Sequence, residues 1–150
     1  MPTMSFSRTI QAPPGRTFDV FADFPNAPTR VAGIKRMEVL TDGPVGKGTK
    51  FRETRIMFGK EATETMEVTD FQPGRSYSVG CTSCGIEWAS TFRFTPEGAG
   101  TRVDLELSTR PITFFAKLMS PLGALMAGSM KKVIEQDMTD LQKALESGRA

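Results

Sequence analysis

The sequence contains no histidine among its 150 residues. That excludes His-dependent catalytic triads, His-ligated metals and the commonest general base at neutral pH. There is one tyrosine, Tyr77, so no tyrosine pair is available for acid–base work, and one tryptophan, Trp88. Cysteine is limited to Cys81 and Cys84. With no histidine and no further cysteine, the pair lacks the two extra ligands of a structural zinc site, and no metal or obligate cofactor is expected. Their Cys-x-x-Cys spacing falls at a strand–turn–strand join, not at a helix N-terminus that would stabilise a thiolate. It reads as two small residues flanking a hairpin tip. No apolar run approaches the ~20 residues of a membrane span, so stable membrane insertion is not expected. The opening Met-Pro-Thr-Met-Ser-Phe-Ser-Arg lacks the apolar core of a signal peptide, which makes a cytoplasmic protein the expectation. A net charge of +2 gives no argument for a nucleic-acid partner.

What is present is a change of period along the chain. The length suits one domain, residues 1–150, with its own core. Ser5–Gln11 reads as a short strand, broken by Ala12-Pro13-Pro14-Gly15. Phe18, Phe21 and Ala22 recur at helical spacing up to Pro25, and 26–31 suits a second short helical turn. From Ile34 the period becomes two. Strands are predicted at 35–41, 49–58, 61–71, 76–82, 86–95 and 101–109, with turns at Asp42-Gly43-Pro44, Gly59-Lys60, Gln72-Pro73-Gly74 and Ser83-Cys84-Gly85. In the last two strands Trp88, Phe92, Val103 and Leu105 alternate with charged and small polar residues, as in an antiparallel sheet with one covered face. The period then returns to helical. Leu122, Met126, Met130, Val133, Ile134, Met138, Leu141 and Leu145 share one face of a helix running from about Pro121 to about Ser147. At ~1.5 Å per residue it spans roughly 40 Å and needs a large apolar partner. Ser120 is the expected N-cap and Gly148 the expected stop.

These residues carry a resemblance. Ala12-Pro13-Pro14-Gly15 with Phe18-Asp19-Val20-Phe21, Gly46-Lys47-Gly48-Thr49-Lys50-Phe51, Glu67-Val68-Thr69-Asp70-Phe71-Gln72-Pro73-Gly74, Phe92-Arg93-Phe94-Thr95-Pro96 before Gly100-Thr101, and Leu141 to Glu146 occur in that order over essentially the whole chain. The chain resembles the START-like, or SRPBCC, superfamily, in particular bacterial polyketide cyclase/dehydrase-type members. The resemblance implies an α+β helix-grip fold. A curved seven-stranded antiparallel sheet wraps a long C-terminal helix, two short helices follow the first strand, and a cavity lies between sheet and helix. It implies no particular reaction.

Alternation supplies the candidate site. If Phe51 faces the helix, so do Glu53, Arg55 and Met57, and on the next strand Met66 and Val68 carry Glu64 inward. Outward placement of these charges is the competing reading, since Ile56 and Phe58 lie in the opposite phase. A buried Glu53–Arg55–Glu64 cluster would orient a ligand's polar end or tune a carboxyl group for catalysis. Met57, Met66, Trp88, Phe92, Met126 and Met130 would form the apolar wall, where methionine adapts to irregular shapes. Tyr77, Leu105 and Leu122 complete the candidate contact set. Gly123 and Gly128 either admit close sheet approach or leave pocket volume. Phe114, Phe115, Leu118 and Met119 either form a mouth over the cavity or pack the sheet end. The expected activity is binding of a small hydrophobic or amphipathic molecule with a carboxyl, hydroxyl or carbonyl head. An aromatase/cyclase- or dehydratase-like enzyme using Glu53, Arg55 or Glu64, and a non-catalytic interaction module, are the alternatives.

Overall fold

The period-two segments form β2 (Ile34–Val39), β3 (Lys50–Met57), β4 (Lys60–Gln72), β5 (Ser76–Ser83), β6 (Ile86–Glu97) and β7 (Gly100–Pro111) in the computed structural model. Ahead of them come β1 (Thr3–Ile10), α1 (Pro14–Phe21) and a 3-10 turn over Phe24–Thr29; behind them come α2 (Phe114–Leu118) and α3 (Ser120–Glu146). The structure describes residues 3–57, 59–83, 86–118 and 120–148, with side chains throughout except at 57, 82–83, 111, 115–116 and 120–127. All seven strands pair antiparallel in the order β1–β7–β6–β5–β4–β3–β2. This is the helix-grip architecture. Ser120 is the first helical residue rather than the cap before it. Gly148 has φ +75° and its N–H reaches the Leu145 carbonyl, so the helix stops where a left-handed residue is tolerated. Among the described residues, no helix is long and apolar enough to cross a membrane.

Register shifts between Ile34 and Arg36 and between Val68 and Asp70 add a residue to one strand of each pair, which bends and twists the sheet. The second shift also brings Phe71, not Asp70, against the core. The sheet closes tightly at one corner. A Cβ on Gly100 would stand 2.5 Å from the Ile10 carbonyl oxygen, so only glycine lets β7 start beside the end of β1. Thr101 Oγ1 donates to the Ala12 carbonyl at 2.7 Å there, and Thr17 Oγ1 donates to that of Pro13 at 2.9 Å. These two buried hydroxyls satisfy the backbone where the Pro-Pro turn leaves the sheet.

The concave face is filled unevenly. At the α1 end it is an aromatic plug. Phe18 makes edge contacts with Phe71, Tyr77 and Phe94, and Phe24 stacks on Phe51 with ring centroids 4.6 Å apart. Phe51, Tyr77 and Phe18 are almost fully buried. The C-terminal half of α3 adds Met138, Ala144 and Leu145, all buried. Further toward its start Met130, Val133 and Ile134 are only half-buried. Met138 is thus a core residue. Met138→Ala should destabilise the protein by about 2–5 kcal/mol in urea unfolding, because it opens a cavity in packed surroundings. Met130→Ala, at a half-buried position, should cost clearly less; equal losses would contradict this division of the helix.

Candidate functional site

Alternation along β3 carries Phe51, Glu53 and Arg55 inward, while Ile56 is 46% exposed on the outer face. Directly opposite Glu53 on β4 stands Glu64. The structure therefore brings together the expected Glu53, Arg55 and Glu64. It adds a fourth member, Asp137 of α3. Arg55 forms a two-pronged pair with Asp137, Nη1 to Oδ1 at 3.1 Å and Nη2 to Oδ2 at 2.8 Å, and its Nε donates to Glu53 Oε1 at 3.0 Å. The side chains of Arg55 and Glu53 are 12% and 14% exposed. Next to them the Cys81 thiol lies 3.7 Å from Glu64 Oε2, and Cys81 is paired in register with Trp88. Carboxylates, guanidinium, thiol and indole thus form a continuous strip from β3 to β6 and up to α3.

Burial dominates the electrostatics. It raises the Glu53 carboxyl above its ordinary value; Arg55 opposes the shift, while Asp137 and Glu64 add to it. Burial raises Asp137 likewise, against the pull of Arg55 and with help from Asp140. For Arg55 burial alone would lower the guanidinium, but Asp137 and Glu53 together outweigh it and hold it above its ordinary value. The Cys81 thiol is pushed up to about 12 by burial and by Glu64, so it is a poor nucleophile. It is a free thiol inside β5. Among the described residues no three carboxyl or thiol groups are arranged to hold a metal ion.

Other expected site residues separate into groups. Phe51, Tyr77 and Leu105 are 1%, 2% and 5% exposed and belong to the packed core. The Tyr77 hydroxyl donates to the Phe21 carbonyl at 3.2 Å, and burial holds it well above the ordinary phenol value. Met66 is buried beside the cluster. Trp88 and Phe92 face inward, pack against the core and stay half-buried, as does Met130. The side chains of Met57, Leu122 and Met126, with Gly123, Phe115, Met119, Phe58 and Cys84, lie outside the described residues. Gly128 does not mediate close approach, since nothing lies within 4 Å of where its Cβ would be. Phe114 and Leu118 are 83% and 65% exposed, so they do not pack the sheet end. Asp137 had one legible signal. It sits four residues after Val133 and four before Leu141, an acid inside the apolar stripe and so in need of a buried partner.

Residues 1–146 match the family model described as polyketide cyclase / dehydrase and lipid transport. The chain belongs to that family. No curated protein matches it. Among solved structures it is similar to TTHA0849 of Thermus thermophilus, with 22% identity, TM-score 0.79, and 99% of this chain and 100% of that one covered. A START superfamily protein of Mycobacterium smegmatis gives TM-score 0.79 at 14% identity, with 97% of each chain covered. The di-domain ARO/CYC StfQ of the steffimycin biosynthetic pathway gives 0.78 at 14% identity, with 98% of this chain matching 51% of that one. At these identities the likeness to the solved structures is one of fold.

The raised carboxyls make a signed prediction. In the folded protein Glu53 and Asp137 hold protons more tightly than in the unfolded chain. Upward from their ordinary values, 4.5 and 3.8, the folded state binds more protons, so their contribution to stability is lost as pH rises through the raised values. Glu53→Gln removes the larger-side-chain member of this pair. Followed upward from pH 4.5, the ordinary value of Glu53, its urea midpoint should gain on that of the parent as pH rises through the raised value. Parallel pH profiles for the two proteins would contradict the assignment.

Proposed function

We propose that the chain binds a small hydrophobic or amphipathic molecule between the concave face of the sheet and α3. The apolar body would lie against Trp88, Phe92 and Met130, with its polar end at the Glu53–Arg55–Glu64 strip. The observation that carries this reading is the uneven filling of the concave face. Seven aromatic rings, Phe18, Phe21, Phe24, Phe51, Phe71, Tyr77 and Phe94, crowd one end. Phe92 borders this plug, stacked on Tyr77 with ring centroids 4.8 Å apart. Beyond it inward-facing Trp88 and Ile134 keep accessible surface near the buried charges, and Met130 of α3 is half-buried. An apolar wall with a few convergent polar groups is the common composition of a small-molecule site. The lipid transport named in the family's description agrees with it.

A second reading, an aromatase/cyclase- or dehydratase-like enzyme, is favoured by one feature. Burial holds Glu53 toward its protonated form, the state a general acid needs. The two readings part on Glu53→Gln, which would abolish turnover of a polyketide substrate yet leave binding of an apolar probe nearly intact.

Trp88 is the only tryptophan and lies in the proposed wall, so its emission reports occupancy. Titration with the neutral probe N-phenyl-1-naphthylamine should quench Trp88 and saturate at micromolar concentrations or below. Met130→Trp should block probe uptake, followed by the probe's own fluorescence, with little change in stability, because the added ring fills ligand space. A linear, unsaturable rise, or a Met130→Trp protein that binds like the parent, would sink the binding reading and favour an interaction module presenting the outer sheet face.

A further inference from the structure

The polar strip has a definite sign of preference, and Arg55 sets it. A carboxyl or carbonyl head group would be expected to seek the guanidinium. Yet each of the three guanidinium nitrogens already serves a carboxylate, Nε that of Glu53 and the two Nη those of Asp137. Gly33 stands close by, where an added Cβ would come within 3.4 Å of Nη1. Three of the five N–H donors are thus engaged, and an incoming carboxylate would find only the second N–H of each Nη, on nitrogens already bound to Asp137. It would also join three carboxyl groups: Glu53 and Asp137, which share the guanidinium, and Glu64, which stands opposite Glu53. The strip is rich in acceptors and short of donors.

Glu64 is the acceptor with least competition. Its one hydrogen bond among the described residues comes from the Cys81 thiol, a weak donor. Through Cys81 it adjoins Trp88, the half-buried aromatic of the proposed wall. An indole face is itself attractive to a cation. The acidic residues and the neighbouring aromatic therefore ask for the same head-group chemistry.

We infer that the site selects amphipathic molecules whose head donates hydrogen bonds, an ammonium before a hydroxyl, and discriminates against carboxylates, with Glu64 receiving the head and Arg55 committed to positioning Glu53 and Asp137. This rests on the binding reading above. The net charge of +2 works the other way at long range, so a preference for ammonium must arise locally.

The test displaces N-phenyl-1-naphthylamine with dodecylamine, dodecanol and dodecanoate, each below its micelle concentration. Dodecylamine should displace the probe at a concentration about tenfold lower than dodecanoate, the size expected of a charge-assisted hydrogen bond. Dodecanol should fall between them. Glu64→Gln should bring amine and carboxylate to near parity while leaving dodecanol unchanged, and Glu64→Asp should restore part of the preference. A merely structural role for Glu64 would weaken all three competitors together and so overturn the inference. Probe uptake with dodecanoate competing as well as dodecylamine overturns the head-group inference alone. Absence of saturable probe uptake overturns it together with the binding reading.

Discussion

The fork from Arg55 to Asp137 fixes the height and rotation of α3 over the sheet. It joins the third strand to the middle of the last helix, 82 residues apart in sequence. A bidentate guanidinium–carboxylate pair defines a plane as well as a distance, so it tolerates little sliding of the helix along its axis. The other edge of α3 is held by Arg8 of β1, whose Nη1 donates to Thr139 Oγ1 at 2.6 Å and whose Nη2 meets Glu135 Oε2 at 2.9 Å. Backbone N–H groups complete the clasp. Ala32 donates to Asp140 and Gln11 donates to Glu146. The helix therefore lies in a trough with polar ties on both rims and Met138 and Leu145 pressed into the floor. These ties all fall between residues 135 and 146, the half of α3 that sits on packed core.

Much of this was written in the alternation of the sequence. Trp88, Phe92, Phe94, Val103 and Leu105 share a face because a strand has period two, and β6 pairs with β7 so that Phe92 meets Leu105 and Phe94 meets Val103. Gly148 and the turn glycines mark the element ends for backbone reasons that need no tertiary context. Alternation gives a face, however, and not a depth. Phe51 and Trp88 both point inward, yet one is sealed by Phe24 from the 3-10 turn and the other is not. Which rings become core depends on where α1 and that turn land, and this is a long-range fact. The same holds for Asp137. Its place inside the apolar stripe signalled a buried partner, but only the assembled fold says that the partner is Arg55. The bulge after Val68 was invisible as well, since an extra residue in a strand leaves the composition of the strand unchanged.

Stability alone does not explain the charged strip. Burying Glu53, Arg55 and Asp137 carries a desolvation penalty, visible in the direction in which both carboxyls are pushed. Well-packed apolar residues of similar volume are often as stabilising as a buried ion pair, or more so. Removing one member while keeping the others is another matter, costing roughly 3–5 kcal/mol because a charge is left buried without its partner. The strip is thus an all-or-nothing arrangement whose existence is better accounted for by what it displays than by what it contributes to folding. Glu53 and Glu64 face each other across β3 and β4, a like-charge juxtaposition that a sheet ordinarily avoids. Arg55 makes it tolerable by taking Glu53 on one side and Asp137 on the other. The result is an acceptor at Glu64 held at a fixed place beside Trp88, on the part of the concave face that the aromatic plug leaves unfilled. A neutral, fully apolar substitute could be as stable but would lack the directional hold of the fork, and on the binding proposed above it would leave the end of the trough without a polar group for a ligand's head to meet.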